Sequence, residues 1–291
     1  MPGRNTPAAA AAPVPTLSRR HEAGAASARG LLFTLLGEFV LPTGGVAWTS
    51  AVLDVFGRLG VEEKTTRQAL MRTAAAGWLH ADKVGRRTRW LLSDSARQLL
   101  TDGAERIYSF TGSAQDWDGR WLLVSVRIPD GDRRARHVVR SRLTWAGFGS
   151  LGAGLWISPH TSREAEAAGV LRAAGVASDA HVFVAARSGV GDVRDMVAAA
   201  WDLTAVEEQY ERFVAEFGRA QLSQERAGGA LARQVELVHA WRRFPAIDPV
   251  LPRELLPRRW SGLKAASLFA GRHAEWSAAA RLEWARLNDV D

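Results

Sequence analysis

The chain has 291 residues, 47% hydrophobic and 24% charged, an ordinary globular composition with length enough for two or three domains. Lysine and arginine together number 38 against 31 acidic residues, a formal charge of +7 that favours an anionic partner without naming one. Cysteine is absent, which excludes disulfides, thiolate metal sites and thiol nucleophiles; the longest greasy stretch, "LLFTLLGEFVLP", is cut by Glu38 and Pro42 before it reaches the length of a membrane span.

Residues 1–27 are alanine-rich, carry Pro13 and Pro15, and place their cations after the apolar part, so they read as a disordered tail rather than a signal peptide. A first helix is expected over Ala28 to Leu41, with Leu32, Leu35, Leu36 and Val40 on one face and Pro42-Thr43-Gly44-Gly45 as its stop. "AWTSAVLDVFGRLG" predicts a second, turning Trp48, Val52, Val55 and Phe56 inward and closing at Gly60. "VEEKTTRQALMRTAAAG" predicts a third, two-faced helix ended by Gly77. Thr66, Ala69, Leu70 and Thr73 fall on one side; Lys64, Arg67, Gln68, Met71 and Arg72 fall on the other. Trp78 to Ala81, a turn at Val84 to Arg87, and Arg89 to Leu92 then make a short hairpin, and Ser93 is a natural N-cap for the next helix.

From Lys83 to Arg89 four of seven residues are cationic (Lys83, Arg86, Arg87, Arg89) and none is acidic. Three helices followed by a basic hairpin is the order of a winged helix-turn-helix, in which the third helix enters the major groove and the wing lies along the backbone. Arginine can read guanine and glutamine adenine by paired hydrogen bonds. Glu62 and Glu63 suit the dipole at the helix N-terminus, although they would face phosphate awkwardly. The plain alternative is a solvent-facing helix and hairpin in an arginine-rich chain; helix order, turn and charge together favour DNA.

A second unit starts near Trp117. "RWLLVSVRI" reads as a strand, and "GDRRARHVVRSRLTWAG" as a helix burying Ala135, Val138, Val139 and Leu143. "FGSLGAGLWISP" reads as a hairpin, "SREAEAAGVLRAA" as a helix opened by a Thr161/Glu164 capping box, and "AHVFVAA" as a last strand. That β-α-β-β-α-β order predicts a ferredoxin-like sandwich. The remainder is expected to be helical, first through Val206, Tyr210, Phe213, Val214 and Phe217, then after Gly228-Gly229, and last in a helix carrying Trp276 and Trp284. The fold class is therefore α+β. It divides into a winged helix-turn-helix over 28–112, a ferredoxin-like domain over 113–188 and an all-helical C-terminal domain over 189–291.

Some motifs tempt. "GFGSLG" has dinucleotide-binding glycine spacing, but a helix precedes it and a strand follows, the wrong way round for a pyrophosphate site. Arg133, Arg134, Arg136, Arg140 and Arg142 read first as a solvated face or a subunit contact, with nucleic acid the less favoured reading. The histidines show no metal-ligand spacing and no hydrolase elbow. Trp201-Asp202 and Trp241-Arg242-Arg243 would suit an aromatic ligand with an anionic handle, and a tryptophan-rich core accounts for them equally well.

"LLGEFVLPTGGVAWTSAVLDVFGRLGVEEKTTRQALMRTAAAGWLHADKVGRRTRWLLSDSARQLL", "WDGRWLLVSVRIPD", "AGFGSLGAGLWISPH", "AAAWDLTAVEEQYERFVAEF" and "DPVLPRELLPRRWSG", in that order, resemble the phenylacetic-acid-degradation repressor (PaaX) family. The resemblance implies a homodimeric bacterial transcriptional repressor that acts on double-stranded operator DNA, in the cytoplasm on the nucleoid. An aryl-CoA thioester, phenylacetyl-CoA in the best-known members, would release it from aromatic-catabolism promoters. No catalytic residue, metal, bound cofactor or membrane contact is implied. By position, Lys64, Arg67, Gln68 and Arg72 become recognition-helix residues, and Lys83, Arg86, Arg87 and Arg89 become wing residues. Because CoA carries phosphates, Arg242, Arg243, Arg258 and Arg259 are conceivable anchors. The middle segment also resembles the small ferredoxin-like nuclease of CRISPR adaptation. Where that nuclease has a metal-binding aspartate this chain has Arg127, with Asp130 and Asp132 on the following loop, so a dimerisation or relay role is favoured over a nuclease. A third reading is an interaction module whose hairpin binds acidic protein or RNA.

Overall fold

The computed structural model describes residues 27–110, 117–219 and 229–289. The tail expected over 1–27 lies outside the described residues except for Ser27, as does Gly228. Ser27 Oγ accepts the Gly30 N–H at 3.1 Å and so caps helix α1 (Ala28–Leu35). The leucine spacing runs on past α1, but the backbone widens into one π turn over Leu36–Val40 and then tightens into a 3₁₀ turn over Leu41–Thr43. Glu38 sits in that π turn.

A short strand, β1 (Val46–Trp48), follows and leads into α2 (Thr49–Arg58). Trp48, expected inside the second helix, belongs to this strand; three residues are too few to show a strand period. Next come α3 (Glu63–Ala75), β2 (Leu79–Val84), β3 (Arg87–Leu92) and α4 (Asp94–Tyr108), the last capped by Ser93 Oγ, which accepts the Ala96 N–H at 3.2 Å. The three strands form one antiparallel sheet in the order β1-β3-β2.

The next stretch holds β4 (Arg120–Val126), α5 (Arg133–Trp145), β5 (Gly149–Gly152), β6 (Leu155–Ser158), α6 (Glu164–Ala174) and β7 (Ala180–Ala186), with the strands antiparallel in the order β5-β6-β4-β7. Alternation along β4 covers both faces of this sheet. Leu122, Val124 and Val126 pack with Ala135, Val139 and Leu143 of α5 and with Ala167, Val170 and Leu171 of α6. Trp121 and Leu123 turn the other way, towards Val197, Leu203, Leu251 and Leu255. The Thr161/Glu164 capping box does not form: Thr161–Arg163 is a 3₁₀ turn running straight into α6, so no extended residue stands at the cap, and Arg163 there gives no side-chain bond. Gly149 of "GFGSLG" has a packing role, since a Cβ there would lie 2.6 Å from Ala200 Cβ.

The chain ends with α7 (Val193–Ala200), α8 (Leu203–Gly218), α9 (Gly229–Trp241), α10 (Phe244–Ile247) and α11 (Gly262–Asn288). Mixed helix and antiparallel sheet make the fold α+β. The described residues group into two compact units. One holds residues 27–108, 229–240 and 272–289; the other holds 109–110, 117–219 and 241–271. In the first, Ala230, Leu231, Val235, Ala280 and Trp284 share a core with Leu32, Val52, Phe56, Trp78 and Trp90. Asn288 lies against the outer edge of β1, its Oδ1 accepting the Trp48 N–H and its Nδ2 donating to the Val46 carbonyl, each at 2.9 Å. In the second unit Tyr210 stacks on Phe244 at 4.1 Å and donates to Asp248 Oδ2 at 2.5 Å, while buried Trp241 stacks on Phe269 at 4.7 Å. Trp241 is thus core.

The most demanding group in the first unit is Glu38, whose side chain is 6% exposed. Gln234 Nε2 and His273 Nε2 each donate to its Oε1 at 2.9 Å, and the Tyr108 hydroxyl donates to Oε2. Burial pushes the carboxyl up, but those hydrogen bonds and the charge on His273 outweigh it and hold Glu38 below the usual carboxylate range. A depressed carboxyl stabilises the fold fully above its unfolded pKa, and that contribution is lost as pH falls through the folded value. Glu38→Ala should therefore cost about 1–3 kcal/mol at pH 7, because Gln234, His273 and Tyr108 are left without the acceptor they share. Its deficit relative to wild type in urea unfolding should shrink at about pH 4 and below. A deficit independent of pH would show that Glu38 acts by packing alone.

Candidate nucleic-acid interface

Val84 pairs with Arg87, which leaves Gly85-Arg86 as a two-residue loop. Gly85 has φ of +59°, the left-handed value that the first loop position of a tight hairpin turn requires. Arg86 therefore stands at the tip. The hairpin is fixed at its base by Trp90, whose Nε1 donates to Thr49 Oγ1 at 3.0 Å; Thr49 in turn donates to the Thr88 carbonyl at 2.8 Å. Trp90 and Leu92 are both buried in the first unit's core.

The strand period separates cations that the sequence runs together. Register puts Arg87 beside Val84 and Arg89 beside Asp82 on one face, and Lys83 beside Thr88 on the other. Arg89 Nε donates to Asp82 Oδ2 at 2.7 Å. Asp82 precedes the cationic run by one residue, and only the cross-strand register reveals it as a partner. Lys83, Arg86 and Arg87 are exposed and Arg89 half-buried.

Helix α3 follows α2 through a turn over residues 59–62, with Gly60 at φ +74°. Its inner face is as expected: Thr66, Ala69, Leu70 and Thr73 are buried. Lys64, Arg67, Gln68, Met71 and Arg72 are exposed together, with Glu63 at their end. Met71 is 63% exposed, unusual for a large apolar side chain and suited to a thymine methyl. Arg67 Nε lies 2.7 Å from Glu63 Oε1 in an i,i+4 pair. Among the described residues Lys64, Arg72, Lys83 and Arg86 make no ion pair.

The other named residues lie elsewhere. Arg242 and Arg243 are half-buried between α9 and α10, with the Arg243 guanidinium 5.5 Å from the Phe244 ring centroid. Burial and the nearby charge of Arg212 lower the Arg243 pKa, and Glu216 opposes them. Arg258 and Arg259 are exposed before α11. Arg127 is exposed just past β4 and Asp130 is exposed beside it, 3.6 Å from Arg136; Asp132 caps α5 by accepting the Ala135 N–H at 2.8 Å. Among the described residues no three of His, Asp and Glu are grouped to hold a metal, and no helix is long and apolar enough to cross a membrane.

Comparison with known proteins matches residues 27–96 to a family described as "PaaX-like protein", 114–197 to "PaaX protein central Cas2-like domain" and 201–286 to "PaaX-like protein C-terminal domain". The Escherichia coli K12 protein called transcriptional repressor PaaX is 33% identical over 256 residues, 83% of this chain and 78% of that one. A solved structure of the uncharacterized protein Rv0674 from Mycobacterium tuberculosis shares the fold. Its TM-score is 0.60 at 22% identity, over 90% of this chain and 98% of that one.

The geometry makes Trp90 the hairpin's anchor. Trp90→Ala should destabilise the first unit by about 3–5 kcal/mol through the cavity it leaves. Thr49→Val should cost about 1 kcal/mol through the lost hydroxyl bonds. Denaturant unfolding followed by tryptophan fluorescence measures both, and equal losses would contradict this ranking.

Proposed function

This chain belongs to the PaaX family, and we propose that it is a DNA-binding transcriptional repressor in which α3 reads the major groove and the β2–β3 hairpin is a wing on the phosphate backbone. One observation carries the reading. A helix packed by Thr66, Ala69, Leu70 and Thr73 presents Lys64, Arg67, Gln68, Met71 and Arg72 outward, in the same unit as a rigidly anchored hairpin tipped by Arg86. Phosphate contacts from Lys83, Arg86, Arg87 and Arg89 supply salt-dependent affinity, and α3 supplies sequence choice.

On this reading residues 28–112 are a winged helix-turn-helix and 113–188 a ferredoxin-like domain, for which the β5-β6-β4-β7 order and the two helices on one face of the sheet are the support. Two copies form a homodimer on two half-sites, acting in the cytoplasm on the nucleoid. The genes controlled are those of phenylacetate-like aromatic catabolism, and an aryl-CoA thioester lifts repression. The 189–291 region is where the thioester binds, with Arg242, Arg243, Arg258 and Arg259 as anchors for the CoA phosphates. It must bind the DNA-incompetent state more tightly, or it shifts nothing.

Anisotropy titration of the duplex upstream of the chain's own gene, at ~150 mM salt, tests this. Wild type should prefer that duplex to an unrelated one and release it with phenylacetyl-CoA. Arg86→Ala/Arg87→Ala should weaken both duplexes and reduce the slope of log K against log salt by about 1.8. Gln68→Ala should lower the preference by about 1–3 kcal/mol. Absence of any sequence preference would sink the repressor at this site; preference indifferent to the thioester would remove only the effector.

A further inference from the structure

Outside α3 and the hairpin, the most lopsided charge in the molecule is on α5. Its thirteen residues, "RRARHVVRSRLTW", contain Arg133, Arg134, Arg136, Arg140 and Arg142 with His137, and no acid. Ala135, Val139 and Leu143 are buried, which turns Arg133, Arg134, Arg136, His137 and Arg140 outward on one stripe. The nearest preceding carboxylates are already engaged: Asp132 caps the helix, and Asp130 is 3.6 Å from Arg136. Arg133, Arg134, Arg140 and Arg142 make no ion pair among the described residues.

Arginine in place of lysine means little in a chain with so few lysines, but clustering does carry weight. Other exposed helices here mix their signs: α8 sets Arg212 among Glu207, Glu208, Glu211 and Glu216. Mixed charge is what a merely solvated face presents; α5 departs from it.

We infer that the outward face of α5 is a second phosphate-binding surface for duplex DNA, in the compact unit that does not contain α3 and the hairpin. The inference rests on the repressor reading and extends it. At 1.5 Å per residue, Arg133 and Arg140 stand about 10 Å apart along the helix, over which one duplex strand presents about three phosphates. Guanidinium groups bind phosphate in paired hydrogen bonds. Chemistry excludes two rivals. An interfacial membrane helix needs a free apolar face, and that of α5 is buried against the sheet. Single-stranded nucleic acid needs aromatic platforms interleaved with cations, and α5 offers only Trp145, at its last position.

The test uses the full chain with the upstream duplex, an unrelated duplex and a single strand of equal length. Arg133→Ala/Arg134→Ala/Arg140→Ala should lose about 2–3 in salt slope and bind both duplexes ~10–100-fold more weakly, leaving their ratio unchanged. The Lys versions of the same three positions should restore slope and affinity, and thermal unfolding should match wild type for both. A triple Ala variant equal to wild type, while Arg86→Ala/Arg87→Ala still weakens, would overturn this inference and leave the repressor standing. Lys versions as weak as the Ala variant, or a larger loss on the single strand than on duplex, would overturn it too. Slope lost on every duplex by a wild type without sequence preference would keep α5 and sink the repressor. A wild type that binds no duplex would sink both.

Discussion

A buried carboxylate organises the first unit. An ionised side chain taken out of water must be paired and fully hydrogen-bonded, or it unfolds what surrounds it. Glu38 meets that demand with Tyr108, Gln234 and His273, which lie 70, 196 and 235 residues further along the chain. Hence the α1 segment cannot complete its surroundings from its own neighbours. Glu283 and Asn288 repeat the pattern on a smaller scale: Glu283 accepts from Arg58 and from the Ala230 N–H at the start of α9, and Asn288 closes the edge of β1. A chain ended near residue 112 would retain Glu38, Tyr108 and that strand edge while losing Gln234, His273 and Asn288, which complete them. Since α1 packs on α3 and β1 pairs with β3, the surfaces proposed to meet DNA are held in place by the last described residues of the chain.

Much of the local structure was legible, for reasons that can be named. The inner and outer faces of α3 follow from a 3.6-residue period over thirteen residues, and Gly85 marks the hairpin because few other residues adopt its φ cheaply. Ser93 caps α4 as read. Misses came where a pattern was too short or its partner too distant. Strand β1 has only three residues; the capping box failed because a 3₁₀ turn occupied the cap; Glu38 registered only as an interruption in an apolar run. No period in the sequence announces that residues near 234, 273 and 288 pack against residues near 38 and 47. The same applies to the candidate interface, where each cation was visible but its neighbours across the strand pair were not.

Those neighbours change how the interface works. Arg67 and Arg89, two of the eight cations and amides expected to meet DNA, are held by Glu63 and Asp82. The first pair is exposed and the second half-buried at the surface, and surface pairs contribute only about 0–1 kcal/mol, so a phosphate or a base edge can displace the carboxylate at little cost. The pairs still matter before contact, because each keeps a long guanidinium extended and partly ordered, lowering the side-chain entropy lost on binding. They also set two negative charges beside the surface, which repel a poorly fitted phosphate backbone. Among the described residues Lys64, Arg72, Lys83 and Arg86 have no such restraint. The candidate interface thus combines cations without an ion pair among the described residues with cations that would have to exchange a partner first. On the proposed reading Arg67 of α3 adds to the discrimination between the right duplex and the wrong one, since only a base edge that supplies better geometry than Glu63 makes its exchange favourable.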